Sequence, residues 1–317
     1  MTDFITRRDW LTAVPSTLAL GLAAPALATA RAADRPADEP FGYCLNTSTI
    51  NGPQKLALTE VVEIAAKAGY HGLEPWIREL DRHVKEGGSL KDVGRRIKDL
   101  GLSVEGAIGF FDWAVDDDAT RKKALEEAKR NMALVRTLGG SRIAAPPAGA
   151  TKTSGLDLLK VADRYRALLE LGDAEGVVPE VEVWGFSKTL TRLGEAALVA
   201  IESGHPKACL LPDVYHLHKG GSSVSGLSLL GPEAIHVFHM NDYPADPPRS
   251  AITDAHRVYP GDGVAPLKEI VRTLRSIGFH GMLSLELFNR DYWMQDPNAV
   301  ARTGLDKMRA VVRSSLG

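Results

Sequence analysis

Four residues of types that commonly bind metals stand at the ends of four successive apolar runs in the C-terminal half of the sequence. They are Glu182, Asp213, His239 and Glu286. Three carboxylates and one imidazole form a hard, oxygen-rich ligand set, which suits Mn2+, Mg2+ or Co2+ and also accepts Zn2+ or Fe2+. Taken singly, each carboxylate is better explained as a buried ion-pair partner, and the histidine as a hydrogen-bonded core residue, than as a metal ligand. Their recurrence at four successive run ends favours one divalent-metal site.

Side-chain alternation along a strand predicts that these four residues share one interior. In the last apolar run, Ser284 and Glu286 lie on one face and the leucines on the other. Leucines suit a face covered by helices, so Glu286 points inward. The same alternation turns Glu182, Asp213 and His239 inward. Converging carboxylates would repel one another, and each buried charge is costly unless it is paired, so a divalent cation is the expected partner.

The elements that must position these residues form a repeated pattern of short apolar runs and longer helical patterns. Eight strands are predicted, at 41–47, 72–75, 103–109, 141–145, 179–184, 208–213, 234–239 and 281–287. Helical patterns are predicted at 59–68, 90–100, 119–138, 156–171, 193–202, 227–230, 266–277 and 300–314. Most of these patterns end in glycine, which is typical of a left-handed helix cap.

Eight strand–helix units in series predict an α/β protein, a single-domain (β/α)8 TIM barrel over residues 41–317. A doubly wound open sheet is the alternative. It lacks its usual signature, because no Gly-x-Gly-x-x-Gly lies between a strand and a helix. In a barrel, chemistry belongs at the C-terminal ends of the strands. Glu74, Trp113 and Trp184 also fall at or just after strand ends, and are candidate substrate-binding residues or ordinary residues that cap the barrel.

Residues 1–33 have the features of an export signal. The pair Arg7 and Arg8 precedes an apolar, alanine- and leucine-rich stretch with small residues in Ala-x-Ala spacing. The pair resembles a twin-arginine signal. A retained apolar helix is the alternative, but Pro15 and Pro25 weaken it. Residues 34–40 form a polar linker. The expected location is the bacterial periplasm or the exterior, with no membrane attachment after the signal is cleaved.

Composition excludes some other classes. The chain has 317 residues, 44% hydrophobic and 25% charged, with a net charge of −2. A nucleic-acid partner is not expected, because binding a phosphate backbone needs a basic surface. The two cysteines, Cys44 and Cys209, lie in separate apolar runs and are expected to be buried free thiols rather than a disulfide or a metal site.

Five motifs together resemble the xylose isomerase-like TIM barrel superfamily, and within it the sugar phosphate isomerase/epimerase branch. They are Glu182-Val183-Trp184, Asp213-Val214-Tyr215-His216, His239-Met240-Asn241-Asp242, Arg257 followed by Pro260-Gly261-Asp262-Gly263, and Leu285-Glu286-Leu287-Phe288-Asn289. The resemblance implies that the four residues named first bind the metal and that Glu182 and Glu286 also shuttle protons. It implies that His216 and Arg257 bind substrate oxygens. Endonuclease IV shares this barrel but uses more histidines, whereas the ends of the second and third strands here offer Glu74 and Asp112.

The residues and the resemblance leave three functions open. The first is a divalent-metal-dependent isomerase or epimerase that transfers a proton next to the carbonyl of a sugar or keto-sugar. The second is a lyase or dehydratase that eliminates water or an aglycone from an inosose-like or 3-keto-glycoside substrate. The third is a non-catalytic sugar-binding barrel. The first is the main prediction, because the ligand set is complete and two glutamates are available to move protons.

Overall fold

All eight predicted strands are present in the computed structural model, which describes residues 39–53 and 55–317. Their bounds are Gly42–Asn46 (β1), Gly72–Glu74 (β2), Ser103–Val104 (β3), Arg142–Ala145 (β4), Val178–Glu182 (β5), Leu210–Leu211 (β6), Val237–Met240 (β7) and Met282–Leu285 (β8). The predicted signal peptide, residues 1–33, and residues 34–38 of the predicted linker lie outside the described residues.

The helices alternate with the strands along the chain. Their bounds are Leu58–Ala68 (α1), Ile77–Lys85 (α2), Leu90–Asp99 (α3), Asp118–Leu138 (α4), Leu158–Glu175 (α5), Leu193–Glu202 (α6), Val214–Gly220 (α7), Leu267–Ser276 (α8), Arg290–Trp293 (α9) and Pro297–Leu316 (α10). As predicted, α1 and α4 end at glycines in the left-handed region, Gly69 at φ 93° and Gly139 at φ 103°. Among the described residues, none of the helices is both long and apolar enough to cross a membrane.

Parallel pairing closes the strands into a barrel. One run of paired strands has the order β3-β2-β1-β8-β7, and the other has the order β4-β5-β6. The backbone joins the two runs on both sides. Parallel bridges pair Leu210 with Ile235 and Asp213 with His239, and Ala144 N–H donates to the Ala107 carbonyl at 2.9 Å. The predicted (β/α)8 barrel is therefore confirmed.

The barrel has an apolar interior that is separate from the main core between strands and helices. A small buried cluster contains Trp76, Ile108, Ala144, Leu211 and Val237. Leu211 and Val237 are each two residues before a predicted metal ligand, so alternation places them on the same inward face, one layer deeper. Ala144, Leu211 and Val237 fill the barrel axis, as expected for a barrel with a packed interior, whereas Trp76 and Ile108 line the cavity at the mouth.

Three helices were not predicted, α2, α7 and α9, and each follows the C-terminal end of a strand. The helix α2 is mostly charged, and the short α7 begins immediately after Asp213, whose side chain accepts from the His216 N–H at 2.7 Å. The predicted helix at 227–230 is part of a 3-10 helix, Val224–Leu229. The two cysteines are buried and free, as predicted.

Candidate functional site

Three of the four predicted metal ligands meet at the C-terminal mouth of the barrel. Asp213, His239 and Glu286 each offer a ligand atom within 4.8 Å of the other two. Strand pairing brings them together, because Asp213 bridges to His239 and His239 pairs with Ser284, two residues before Glu286. Glu182 is not part of this group, although it lines the same cavity as Glu286.

The imidazole of His239 is oriented from below by a carboxylate. Its Nε2 lies 3.1 Å from Glu74 Oε2, a carboxylate oxygen that can accept a hydrogen bond from the ring. Its Nδ1 lies 3.1 Å from Glu286 Oε2 and 3.8 Å from Asp213 Oδ2 and has no hydrogen-bond partner. Burial lowers the pKa of His239, but Glu286 and Glu74 outweigh it and raise the pKa well above its usual range. A nitrogen that faces two carboxylates in this way is where a cation fits.

Glu182 has a free carboxylate oxygen in a buried position. Its Oε2 has no hydrogen-bond partner, and only 3% of the residue is exposed. Burial, and then the negative charge of Glu286, raises the pKa of Glu182 to about 8, although a hydrogen bond from Trp184 opposes the shift. A carboxylate with an unused oxygen and a pKa near neutrality is suited to take up and return a proton.

Glu286 is held far more tightly than Glu182. Its Oε1 accepts from Asn46 Nδ2 at 3.1 Å, and its Oε2 accepts from Arg257 Nη1 at 2.8 Å. Burial raises the pKa of Glu286, but His239 and Arg257 outweigh it and hold the pKa well below its usual range. The two glutamates that were predicted to share one role therefore lie in different environments.

Arg257 is fully buried, and its guanidinium binds carboxylates of the site. Nη1 donates to Asp213 Oδ2 and Glu286 Oε2, both at 2.8 Å, and Nη2 donates to Asp254 Oδ1 at 2.6 Å. Nη2 also faces His216 Nε2 at 3.1 Å. Among the described residues Nε has no hydrogen-bond partner, so three of the five N–H groups hold the carboxylates in place and the Nε–H is unused.

His216 is a neutral member of the cavity wall. Its Nδ1 lies 3.3 Å from the Gly185 N–H and its Nε2 lies 3.1 Å from Arg257 Nη2. Burial is the main cause that lowers the pKa of His216, to about 3, and the Arg257 cation adds to it. Both ring nitrogens already face N–H groups of the protein, and the ring is not a reservoir of protons at neutral pH.

The donor set fits a divalent metal ion. The buried carboxylates around the cluster are those of Glu74, Glu182, Asp213 and Glu286. The Arg257 guanidinium is the permanent cation among them, so negative charge is in excess. A divalent cation beside His239 Nδ1 would offset this excess. The oxygen-rich donors with one imidazole agree with the metals that the sequence predicted.

A cavity of about 550 Å3 opens from this cluster to the surface. Glu182, Trp184, His216, Arg257 and Glu286 line it, so the structure brings most of the predicted site residues to one place. Glu74 does not line the cavity; its Oε2 lies 3.1 Å from His239 Nε2 and accepts from the Ser284 hydroxyl. In the structure Glu74 therefore orients a predicted metal ligand and does not line the space where a substrate would bind.

Trp113 does not lie in this cavity, so its prediction as a substrate-binding residue needs correction. Its indole N–H donates to the Pro146 carbonyl at 2.8 Å, and its ring packs against Tyr165. It lines a different cavity, together with Asp116 and Arg164. The strand before it, β3, ends at Val104, so the alternation rule does not extend as far as Trp113.

Two asparagines complete the site, and neither was predicted as a functional residue. Asn46 Nδ2 donates to Glu286, and its Oδ1 accepts from Trp76 Nε1 at 2.9 Å. Asn241 Nδ2 donates to Asp213 Oδ2 at 2.9 Å. Both residues stand at strand ends, at β1 and just after β7, so the rule that found the acidic residues would have found them if it had included amides.

Comparison with known proteins agrees with this geometry. The chain matches the family described as the xylose isomerase-like TIM barrel over residues 62–311. The chain belongs to this family. The resemblance to the xylose isomerase-like TIM barrel superfamily, drawn from the five motifs, is therefore confirmed.

Two relatives in this family have named activities. An inosose isomerase of Bacillus velezensis is 27% identical over 280 residues, which cover 85% of this chain and 96% of that protein. A 3-dehydroshikimate dehydratase of Pseudomonas aeruginosa is 26% identical over 249 residues, which cover 78% of this chain and 39% of the dehydratase. The names include both reaction classes that the sequence left open, isomerisation and dehydration, and they support an enzyme rather than a binding protein.

One solved structure of the xylose isomerase-like fold superimposes closely on this chain. The crystal structure of the IOLI protein with a bound zinc atom has a TM-score of 0.79 and 21% identity, and the match covers 87% of this chain and 100% of that one. This likeness agrees with the barrel described above. That structure holds zinc, one of the metals that the donor set here accepts.

The Glu74–His239 contact gives a testable prediction about metal affinity. In Glu74→Gln, the neutral amide no longer stabilises the imidazole as a metal ligand. We expect a loss of roughly 10–100-fold in affinity, as is usual for a partner behind a metal-binding histidine. Titration calorimetry with Mn2+ measures it. Ser284→Ala removes another partner of the same carboxylate but keeps its charge, and should have a smaller effect. Equal affinities in wild type and Glu74→Gln would contradict the role of Glu74.

Proposed function

We propose that this chain is a divalent-metal-dependent isomerase or epimerase that moves a proton next to the carbonyl of a cyclic polyhydroxy ketone. The observation that carries the proposal is the free Oε2 of buried Glu182, on the wall of the cavity that Glu286 of the Asp213–His239–Glu286 cluster also lines. Inosose and 3-dehydroshikimate, in the names of the relatives, are both six-membered ring ketones with hydroxyl groups, which supports this substrate class.

The residues of the site would have different roles in this reaction. Asp213, His239 and Glu286 would hold the metal ion. When bound, the ion supplies positive charge that stabilises the oxygen of an enediolate. Glu182 Oε2 takes the proton from the carbon next to the carbonyl. The Nε–H of Arg257 would bind an oxygen of the substrate, and His216, whose Nε2 faces Arg257 Nη2, would help to hold that guanidinium in place.

The geometry favours isomerisation, in which one carboxylate transfers a proton between neighbouring carbons of the substrate. Epimerisation at one carbon needs a second acid on the opposite face of the substrate. Glu286 was predicted for that task, but its two oxygens already contact Asn46, Arg257 and His239. Glu182 alone of the two has an unused oxygen, so it returns the proton from the side on which it took it.

Elimination is the second candidate, and the dehydratase relative favours it. The carbanion formed by Glu182 would expel a hydroxyl group or an aglycone β to the carbonyl. Mass spectrometry of products distinguishes the two reactions on scyllo-inosose and 3-dehydroshikimate. An unchanged mass with a new retention time indicates isomerisation or epimerisation, and the loss of one water indicates dehydration. If neither ketone changes with Mn2+, Co2+ or Zn2+ present, the proposed substrate class is wrong.

We also propose that the chain is exported through the twin-arginine pathway. The pair Arg7-Arg8 before an apolar stretch supports it. Replacing both arginines with lysine should retain the precursor inside the cell, measured by fractionation and immunoblotting. Arg35→Lys changes an arginine beyond the predicted signal and should not alter export. Undiminished export of the double-lysine variant would show that the pair is not the signal.

A further inference from the structure

Six aromatic side chains line the outer part of the cavity. The proposed reaction at the polar inner site does not require all of them. They come from the ends of several strands and from the helix after β8. This group, the aromatic collar, consists of Trp76, Phe110, Trp184, Phe186, Phe288 and Trp293.

Ring contacts make most of the aromatic collar continuous. Phe288 contacts Trp76 at 5.9 Å between ring centroids, and Trp76 contacts Phe110 at 5.4 Å. Phe110 contacts Trp184 at 5.4 Å, and Trp184 contacts Phe186 at 5.1 Å. The arc then reaches the inner site, because Phe186 lies 5.6 Å from His216. The apolar wall and the polar site are therefore parts of one cavity.

Two members of the aromatic collar remain unusually accessible. Phe110 is 43% exposed and Phe186 is 46% exposed, on either side of Trp184. Single exposed apolar residues are common and need no explanation. Here, however, two exposed phenylalanines flank a tryptophan in a concave wall, and together they form a contiguous apolar patch. Such a patch marks a place where a partner binds. The concave shape favours a small molecule over a protein surface.

We propose that the aromatic collar is an outer subsite for an apolar ring attached to the substrate, such as the aryl aglycone of a keto-glycoside. The inner polar site would take the sugar ring that carries the ketone, and this part rests on the proposed function. The cavity of about 550 Å3 agrees with a two-ring molecule, since cavities of roughly 300–1,000 Å3 hold ligands of drug size. Aromatic faces favour stacked or edge contacts with such a ring.

The proposal is tested by binding without turnover. Phenyl β-D-glucoside and methyl β-D-glucoside share a sugar and lack a ketone, so neither can react. Titration calorimetry of the metal-loaded protein should show tighter binding of the phenyl glucoside by roughly 10-fold, as expected for burial of an additional apolar ring. Phe110→Ala and Phe186→Ala should each weaken phenyl glucoside binding by roughly 5-fold and leave methyl glucoside binding unchanged.

Leu229→Ala is the matched control, because Leu229 is 88% exposed and does not line this cavity. It should not change either affinity. Equal affinities for the two glucosides, no detectable binding of the phenyl glucoside, or the same loss in Leu229→Ala would overturn the outer subsite. These results are independent of the proposed reaction: a protein that turns over no ring ketone but keeps the phenyl preference would contradict the proposed function and support the subsite.

Discussion

Replacing Glu182 with glutamine is expected to slow the exchange of substrate hydrogen with solvent by about 10²–10⁴-fold, the usual contribution of a general base. The amide keeps the size of the side chain, and its oxygen can still accept the hydrogen bond from Trp184. It cannot take a proton from carbon. Since Glu182 is not one of the three residues whose ligand atoms cluster within 4.8 Å, the metal should remain bound.

The measurement is deuterium incorporation into scyllo-inosose in D2O, followed by NMR at metal concentrations that saturate each variant. Glu286→Gln is the matched comparison. Its oxygens hold the metal-binding cluster together, so this variant should bind metal more weakly and regain part of its exchange as metal is added. Asp213→Asn should behave similarly. Normal exchange in Glu182→Gln would assign the base to Glu286, whose role in proton transfer was also predicted from the sequence.

The acidic residues of the site could be predicted because two simple rules act together. Alternation along short strands fixes which face a residue takes, and parallel strands in a barrel put all their C-terminal ends at one mouth. Asp213, His239 and Glu286 obey both rules, since each lies within two residues of the C-terminal end of its strand and each is buried. Glu74 obeys them too, but its depth depends on barrel stagger, which a single sequence does not contain.

The remaining features depend on contacts that periodicity does not encode. Trp113 follows nine residues after β3 ends at Val104, and alternation has no meaning in an irregular segment. Arg257 lies in a loop, and only the folded chain shows that it binds Asp213 and Glu286. The helix α2 was missed because most of its residues are polar, with Ile77 and Leu80 among the few that pack inward. Local sequence therefore predicted the three residues that cluster at the mouth but not how the chain holds them.

His239→Ala is expected to remove most of the bound metal. Purified wild type should hold about one divalent ion per chain, and the variant less than about a tenth of that. Removing a residue hydrogen-bonded to a ligand lowers metal affinity by roughly 10–100-fold, and removing the ligand itself lowers the affinity further. Elemental analysis after gel filtration in chelator-free buffer measures the content. The alanine would also leave Glu74 without its imidazole partner, so circular dichroism must show that the variant is folded.

His236→Ala is the control that separates metal binding from a general effect of losing a histidine on this strand. His236 stands just before β7, at the end opposite the mouth, and burial is the main cause that lowers its pKa to about 4. It is three residues from His239, so alternation turns it to the other face. The His236→Ala protein should keep its metal. An equal metal content in the His239→Ala and His236→Ala proteins would place the ion among Glu182, Asp213 and Glu286 alone. The unpaired Nδ1 of His239 would then have to be a protonated partner of Glu286 rather than a metal ligand.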